Sequence, residues 1–283
     1  MRPRNHWIAG VIVAATALVV QAQAPTLRFA GVNIHGTEQD RAELLRGIAL
    51  PPARDSFATD EARIEAICAD VRRKLEGERF IHVGCAVVGY ATGEAYVVID
   101  VVEPDDAERI SFPAIQYVDH LKLAERGVER RSEELIACAR GCSQAADRAD
   151  ALDFLNRLDW GKASCRATLH ALDDRDWTVR NQAAMLLNQH FFDCVDTLGS
   201  ARIVDASLRQ LTRPTHTDRN KAITTLDQLV RRHAGIDDAR RGRILAAAEQ
   251  LARQSDLPNV GGTATALAAL IRQQHADVTP QSD

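Results

Sequence analysis

The chain carries two periodicities. Between Leu27 and Glu103 the apolar positions fall mostly in short runs that alternate with small or polar residues. From Ser132 onward they recur every three or four residues. The first pattern is that of half-buried strands and the second that of amphipathic helices. Leu27–Ile34 alternates and is ended by His35-Gly36. Thr37 is placed to cap a short helix carrying Leu44, Leu45 and Ile48, which Pro51-Pro52 breaks. Thr59 is placed to cap a longer helix with Ile64, Ile67, Cys68, Val71 and Leu75 on one face. Phe80–Val88 and Ala95–Val102 are β-branched runs joined by Tyr90-Ala91-Thr92-Gly93, a hairpin signal.

In the second half the helical stripes are Leu152, Leu155 and Leu158; Cys165, Leu169 and Leu172; Val179, Ala183, Leu186 and Leu187. They continue with Ile203, Val204, Leu208 and Leu211; Ala222, Leu226 and Leu229; Ile244, Ala248 and Leu251; and, after Pro258, Leu267 and Leu270. Leu172-Asp173-Asp174-Arg175-Asp176-Trp177 reads as the end of one helix, an acidic turn and the start of the next. Arg180-Asn181-Gln182-Ala183 with Leu187 returns 39 residues later as Arg219-Asn220-Lys221-Ala222 with Leu226. A helix–turn–helix unit repeating near 40 residues is the mark of an α-solenoid. Residues 104–131 read as a charged linker with a helical piece at Ile115–Ala124, and 276–283 as a polar, disordered tail.

The start of the chain sets the compartment. Arg2 and Arg4 precede an apolar run from Ile8 to Val20 that is too short to span a bilayer. Small residues follow, so residues 1–22 read as a secretory signal. Val20-Gln21-Ala22 is the preferred cleavage site, because the competing Ala22-Gln23-Ala24 would place Pro25 just after the cut. Loss of the two arginines takes the formal charge from -4 to -6, which offers no electrostatic footprint for nucleic acid. No second run reaches membrane-spanning length. The six cysteines all follow the signal, and an even count in an exported protein points to disulfides. Cys68 with Cys85, and Cys165 with Cys194 on consecutive helices of one repeat, are near enough in predicted structure to pair. Cys138 and Cys142 remain. Their i,i+4 spacing is awkward for a bridge inside a regular helix unless Gly141 ends it. Buried thiols are the alternative, and a zinc site lacks a second pair of ligands.

The order β-α-α-β-β over residues 26–103 resembles the POTRA domain of bacterial export and outer-membrane assembly systems. The resemblance rests on Ile34-His35-Gly36 ending the first strand, Leu75-Glu76-Gly77-Glu78-Arg79-Phe80 before the second, and Tyr96–Glu103 as the last. The Pro51-Pro52 break and the cysteine pair depart from that family, and no outer-membrane barrel follows. Residues 132–275 resemble HEAT repeats. Asp173, Asp176, Val179, Arg180, Ala183 and Leu187 carry the motif in the first clear unit, and Asp218, Arg219, Ala222 and Leu226 in the second. Val260-Gly261-Gly262-Thr263 replaces the acidic and basic positions in the third. The resemblance implies that the turn acids and helix arginines are structural, capping the second helix and linking neighbouring repeats.

The fold class expected is therefore an α+β N-terminal domain followed by an all-α HEAT-like solenoid, and the function expected is that of a non-enzymatic interaction or scaffold protein. It would act in the periplasm or be secreted, with a protein partner in the cell envelope, no nucleic acid, and no integral membrane segment after cleavage. No catalytic, cofactor or metal site is read. His170 with Asp173 and Asp174, and His190 with Asp193 and Cys194, are pairs at helical spacing that lack a third partner. An envelope hydrolase using His170 and Asp174 is the alternative. Trp177 is either an exposed anchor or packed on the preceding helix. Arg231-Arg232-His233 and Arg240-Arg241-Gly242-Arg243 read as a solvated face, with contact to acidic lipid headgroups or peptidoglycan carboxylates as the alternative. The mature protein should begin at Gln23, which N-terminal sequencing of the cell-envelope form checks; an intact Met1 on a cytosolic protein would overturn both compartment and disulfides.

Overall fold

The structure, a computed structural model, describes residues 26–58, 61–77, 79–107, 132–157, 160–232 and 235–278. The signal segment, the Thr59 cap, the helical piece at 115–124, Leu158 and the last five residues lie outside the described residues. The N-terminal part runs β1 (Thr26–His35), α1 (Arg41–Leu45), β2 (Ser56–Ala58), α2 (Glu61–Leu75), β3 (His82–Gly89) and β4 (Glu94–Val102), followed by a 3-10 turn at Pro104–Asp106. The sheet order is β2-β1-β4-β3. β1 and β4 are parallel and the other two pairings antiparallel.

Each face of this sheet has its own cover. Val83, Ala95, Val97, Ile99 and Val101 point to the side where α2 contributes Ile67, Val71 and Leu75. A register shift between Phe29 and Gly31 brings Val32 onto the same face as Phe29. Without that extra residue the rest of β1 would present its opposite set of side chains. On the other face, Val98 belongs to the hydrophobic core of the helical half, and Val88, Tyr90 and Tyr96 pack against it. The sheet is thus a middle layer.

The helical half comprises α3 (Ser132–Gly141), α4 (Ala145–Asn156), α5 (Lys162–Ala171), α6 (Trp177–Gln189), α7 (Phe191–Leu198), α8 (Ser200–Leu211), α9 (His216–Arg231), α10 (Asp238–Gln254) and α11 (Thr263–Val278). A π-helical turn, Pro258–Gly262, precedes α11. The hairpins α3/α4, α5/α6, α8/α9 and α10/α11 stack in two rows. In one row α4 packs on α6, α6 on α9 and α9 on α11. In the other, α3 packs on α5 and α8 on α10, with α7 between α5 and α8.

The order of an α+β part followed by helices is as the sequence predicts, and several details differ. α1 is capped by Asp40, whose side chain accepts from the amides of Ala42 and Glu43, and it ends at Leu45. Thr37 instead gives its hydroxyl to Glu103, at 2.7 Å. Ile48 is still buried, but in the turn after the helix, where Gly47 takes φ +76°. β2 escapes sequence detection because three residues cannot show a period. The helix after Trp177 stops at His190, and α7 begins anew at Phe191. α11 continues to Val278, into the segment expected to be a tail.

The three cysteine pairs are joined: Cys68–Cys85, Cys138–Cys142 and Cys165–Cys194. α3 ends at Gly141, so Cys142 lies outside the regular helix and reaches back to Cys138. Cys165–Cys194 ties α5 to α7, not to α6 as the repeat pattern implied, so the bridge spans the whole α6 excursion.

Ala183 in α6 and Ala222 in α9 are both fully buried. Close-packed interiors do not take added volume without strain. Ala183→Leu or Ala222→Leu should each cost about 1–3 kcal/mol in thermal or denaturant melts. Asp176→Ala should cost only about 1 kcal/mol, since it removes one cap. Alanine variants that melt like the parent would show that the helix crossings are wrongly placed.

Candidate functional site

The turn between α5 and α6 collects arginines from four directions. Asp176 caps α6 by accepting from Thr178 N at 2.8 Å. Asp174 accepts two bonds from the Arg148 guanidinium of α4, at 2.7 and 2.8 Å, and a third from Asp176 N. This pairing holds the Arg148 guanidinium above its ordinary pKa. Asp173 pairs with Arg209 of α8 at 2.7 Å and with Arg213 just beyond it at 3.6 Å. Arg175 reaches the Ala107 carbonyl after β4, at 3.0 Å.

Arg180 is the centre of this arrangement. Its side chain is fully buried and pairs with Asp218 of α9 at 3.0 Å, itself almost fully buried. Its Nη1 donates to the carbonyls of Asp174 and Arg175, at 3.1 and 2.7 Å. Thr215, not Asp218, caps α9, its hydroxyl accepting from Asp218 N at 3.1 Å while donating to Asp218 Oδ2 at 2.7 Å. Asp218 is thereby freed to serve as the partner of Arg180. Arg219, at the position equivalent to Arg180, donates to the Arg213 carbonyl at 2.7 Å and to Gln254 at 3.4 Å. Val179, Leu187 and Leu226 line the core.

The two histidine pairs are not brought together as sites. His170 is exposed on α5, and Asp174 is committed to Arg148. His190 does not continue an inner stripe: it marks the break between α6 and α7, stacks on Trp160 at 3.9 Å and meets Asn156 Oδ1 at 2.7 Å. Asp193 lies 3.6 Å from it, and Cys194 is in a disulfide. Trp177 is half-buried at the start of α6. The basic runs find acids: Arg231 pairs with Asp227, Arg240 with Asp237 and Asp205, and Arg243 with Asp205. Among the described residues no group of three His, Cys, Asp or Glu side chains is placed to hold a metal ion.

Sequence reasoning missed a polar cluster where the sheet meets the helices. Asp100 of β4 takes both His216 N, at 2.9 Å, and His216 Nδ1, at 2.8 Å. Burial works against the Asp100 carboxylate, but the His216 charge and hydrogen bonds outweigh it and hold the group below its ordinary pKa. Burial likewise lowers His216, and Asp100 more than restores it, leaving it raised. Asn33 of β1 accepts from Asp256 N at 2.8 Å, and Tyr90 bonds Asn259. Gly36 ends β1 with φ +97°, and a Cβ there would sit 2.0 Å from the Val101 carbonyl and 2.6 Å from Pro214 Cβ. Only glycine admits so close an approach at that φ. The one available signal was a run of polar residues on alternate positions of otherwise apolar strands.

The candidate interaction site is the outer edge of β3. Its inner edge pairs with β4, and among the described residues no strand pairs with its outer edge. The strand, His82-Val83-Gly84-Cys85-Ala86-Val87-Val88-Gly89, contains none of the lysines, acids or prolines that usually protect such an edge. Cys68–Cys85 fixes it to α2. Just before it, Ile81 is 50% exposed. Beside that residue opens a groove of about 510 Å³ floored by Leu44, Leu75 and Phe80 and rimmed by charges of both signs, Arg46, Lys74 and Arg79 with Glu43 and Glu76.

The fold defines a mostly helical α+β protein with a small mixed sheet at its N-terminal side. Comparison with protein-family models, with curated proteins and with solved structures finds no match. The three disulfides fit an oxidising compartment. Among the described residues no helix is long and apolar enough to cross a membrane.

Removing one partner of a buried ion pair strands the other charge. Arg180→Leu should therefore cost about 3–5 kcal/mol in denaturant melts. Arg209→Leu, which breaks an exposed pair, should cost no more than about 1 kcal/mol. Equal losses would mean that Arg180 is not the buried link between the stacked helices.

Proposed function

We propose that the chain is an exported, non-enzymatic scaffold or interaction protein of the bacterial cell envelope, which takes an extended segment of a protein partner along the edge of β3. The carrying observation is that edge: it is without a strand partner among the described residues, free of charged residues and proline, and stapled to α2. Adding a strand there would satisfy a row of backbone donors and acceptors, with side-chain pockets supplying selectivity. The groove beside Ile81 gives an apolar floor with a rim of mixed charge for a residue flanking the added strand.

The POTRA-like reading of residues 26–103 is supported by the strand order, with β4 central between β1 and β3. The HEAT-like reading of the second half is supported by the two rows of stacked hairpins and by the Arg180–Asp218 link between units. Stacked hairpins of this kind present broad surfaces rather than closed pockets. The periplasm, or secretion, follows from the signal-like start together with the disulfides.

A photo-crosslinking amino acid in place of Ile81 or Ala86 tests the assignment in intact cells, with Arg253 on α10 as the control position. Adducts with one partner should form from the first two positions and not from the third. Equal yields from all three, or adducts from Arg253 alone, would overturn it.

A further inference from the structure

We propose that the junction between the sheet and the helical stack is an acid-sensitive latch, in which protonation of His35 opens the contact that Asp100 and His216 hold closed.

His35 ends β1 on the face turned to the helices and is 1% exposed. Neither ring nitrogen has a hydrogen-bond partner among the described residues. Its ring lies roughly parallel to that of His216, with centroids 6.3 Å apart. Among the described residues the one carboxylate acting on it, that of Asp100, already gives one oxygen to His216 N and the other to His216 Nδ1. The other groups acting on His35 are cationic or become so: His216 and Arg219 from α9, and Arg41 from α1. Around these stand His82 of β3, which feels Asp100, and Asp218 and Glu38, which act on Arg219. A proton on His35 would thus be buried without a free acceptor and beside three cationic groups. Separation of the two layers would hydrate it.

The junction is built to part. Cys68–Cys85 lies wholly on the sheet side, and Cys138–Cys142 and Cys165–Cys194 wholly on the helical side. None crosses the junction. The contacts that cross it are discrete polar ones, Asn33 with Asp256, Tyr90 with Asn259, Arg41 with Asp256 and Glu38 with Gln254, beside the apolar packing of Val88, Tyr90, Tyr96 and Val98. Opening would uncover the apolar patch of Tyr96 and Val98.

The direction of the pH effect follows from each group. Burial above all lowers His35 from 6.5 to about 4, against a partial offset from Asp100. An opened His35 takes a proton near 6.5 that the closed one refuses, so the closed state loses stability as the pH falls from 6.5 toward 4. His216, raised, contributes fully below 6.5 and loses its contribution only as the pH rises through its higher value. Asp100, lowered from 3.8, contributes above that value and is lost only at more acid pH. Below 6.5 the acid-sensitive groups of the junction are therefore the two histidines that burial lowers, His35 foremost and His82 beside it.

Amide hydrogen exchange on the intact, disulfide-bonded chain tests this, with intrinsic rates divided out. The reporters are the amides of His216 and Asp256, which donate across the junction; the amide of Leu226, inside α9, is the control. Between pH 6.5 and 4.5 the opening constant at both reporters should rise on the order of tenfold while Leu226 stays constant. Reporters that do not change, or a rise shared equally by Leu226, would overturn the latch. His35→Asn should remove most of the pH dependence, leaving what His82 contributes, and a wild-type slope in that variant would overturn the assignment to His35. The comparison within the unaltered protein needs no variant and decides whether the latch exists.

Discussion

A guanidinium withdrawn from water must find acceptors for its donors within the protein, and Arg180 does so by joining three pieces of chain. Asp218 of the next hairpin takes its Nε and Nη2, while the carbonyls of Asp174 and Arg175 take Nη1. The acidic turn that supplies those carbonyls is itself held by Arg148, Arg209 and Arg213. The relative placement of α4, α6, α8 and α9 therefore depends on one buried charge and the turn that receives it. Apolar packing supplies most of the stabilisation but is not directional. The charged network adds direction, because displacing Arg180 or Asp218 leaves a buried donor or acceptor without a partner.

The second constraint is that both faces of the small sheet are covered. One face packs on α2 through Val97, Ile99 and Val101. The other meets the helical half through Val98 and Tyr96, with Asn33, His35 and Asp100 interspersed. Polar side chains on the second face make a contact that depends on matched partners, and His35 has none among the described residues. With both faces committed, the edges are what the sheet has left to offer. This is why the interaction proposed for the protein falls on β3, and why Cys68–Cys85, anchoring that strand to its flanking helix, has a consequence beyond stability.

Much of this was legible in the linear pattern. Period-two alternation placed β1, β3 and β4, and the hairpin at Tyr90–Gly93 joined the last two. The 39-residue recurrence identified α6 and α9 as equivalent, with Ala183 and Ala222 buried, and the resemblance to HEAT repeats implied a structural role for Arg180. Cys68 with Cys85 and Cys165 with Cys194 could be matched from the nearness of the elements bearing them. The chain did not reveal β2, whose three residues carry no period, or the break at His190, where the helical stripe continues through a change of direction. Nor did it distinguish Thr215 from Asp218 as the cap of α9, since both residue types cap helices well.

The sequence by itself determined the element types, the boundary between sheet-forming and helix-forming halves, and an even cysteine count that fits an oxidising environment. These depend on local periodicity and composition, which act within a few turns of chain. Only the tertiary structure decided which carboxylate each arginine takes, that Asp174 belongs to Arg148 rather than to His170, and that His35, Asp100 and His216 meet. Those partners are separated by tens to more than a hundred residues. No local pattern encodes their distance, because it is set by how the sheet's second face packs against the helices.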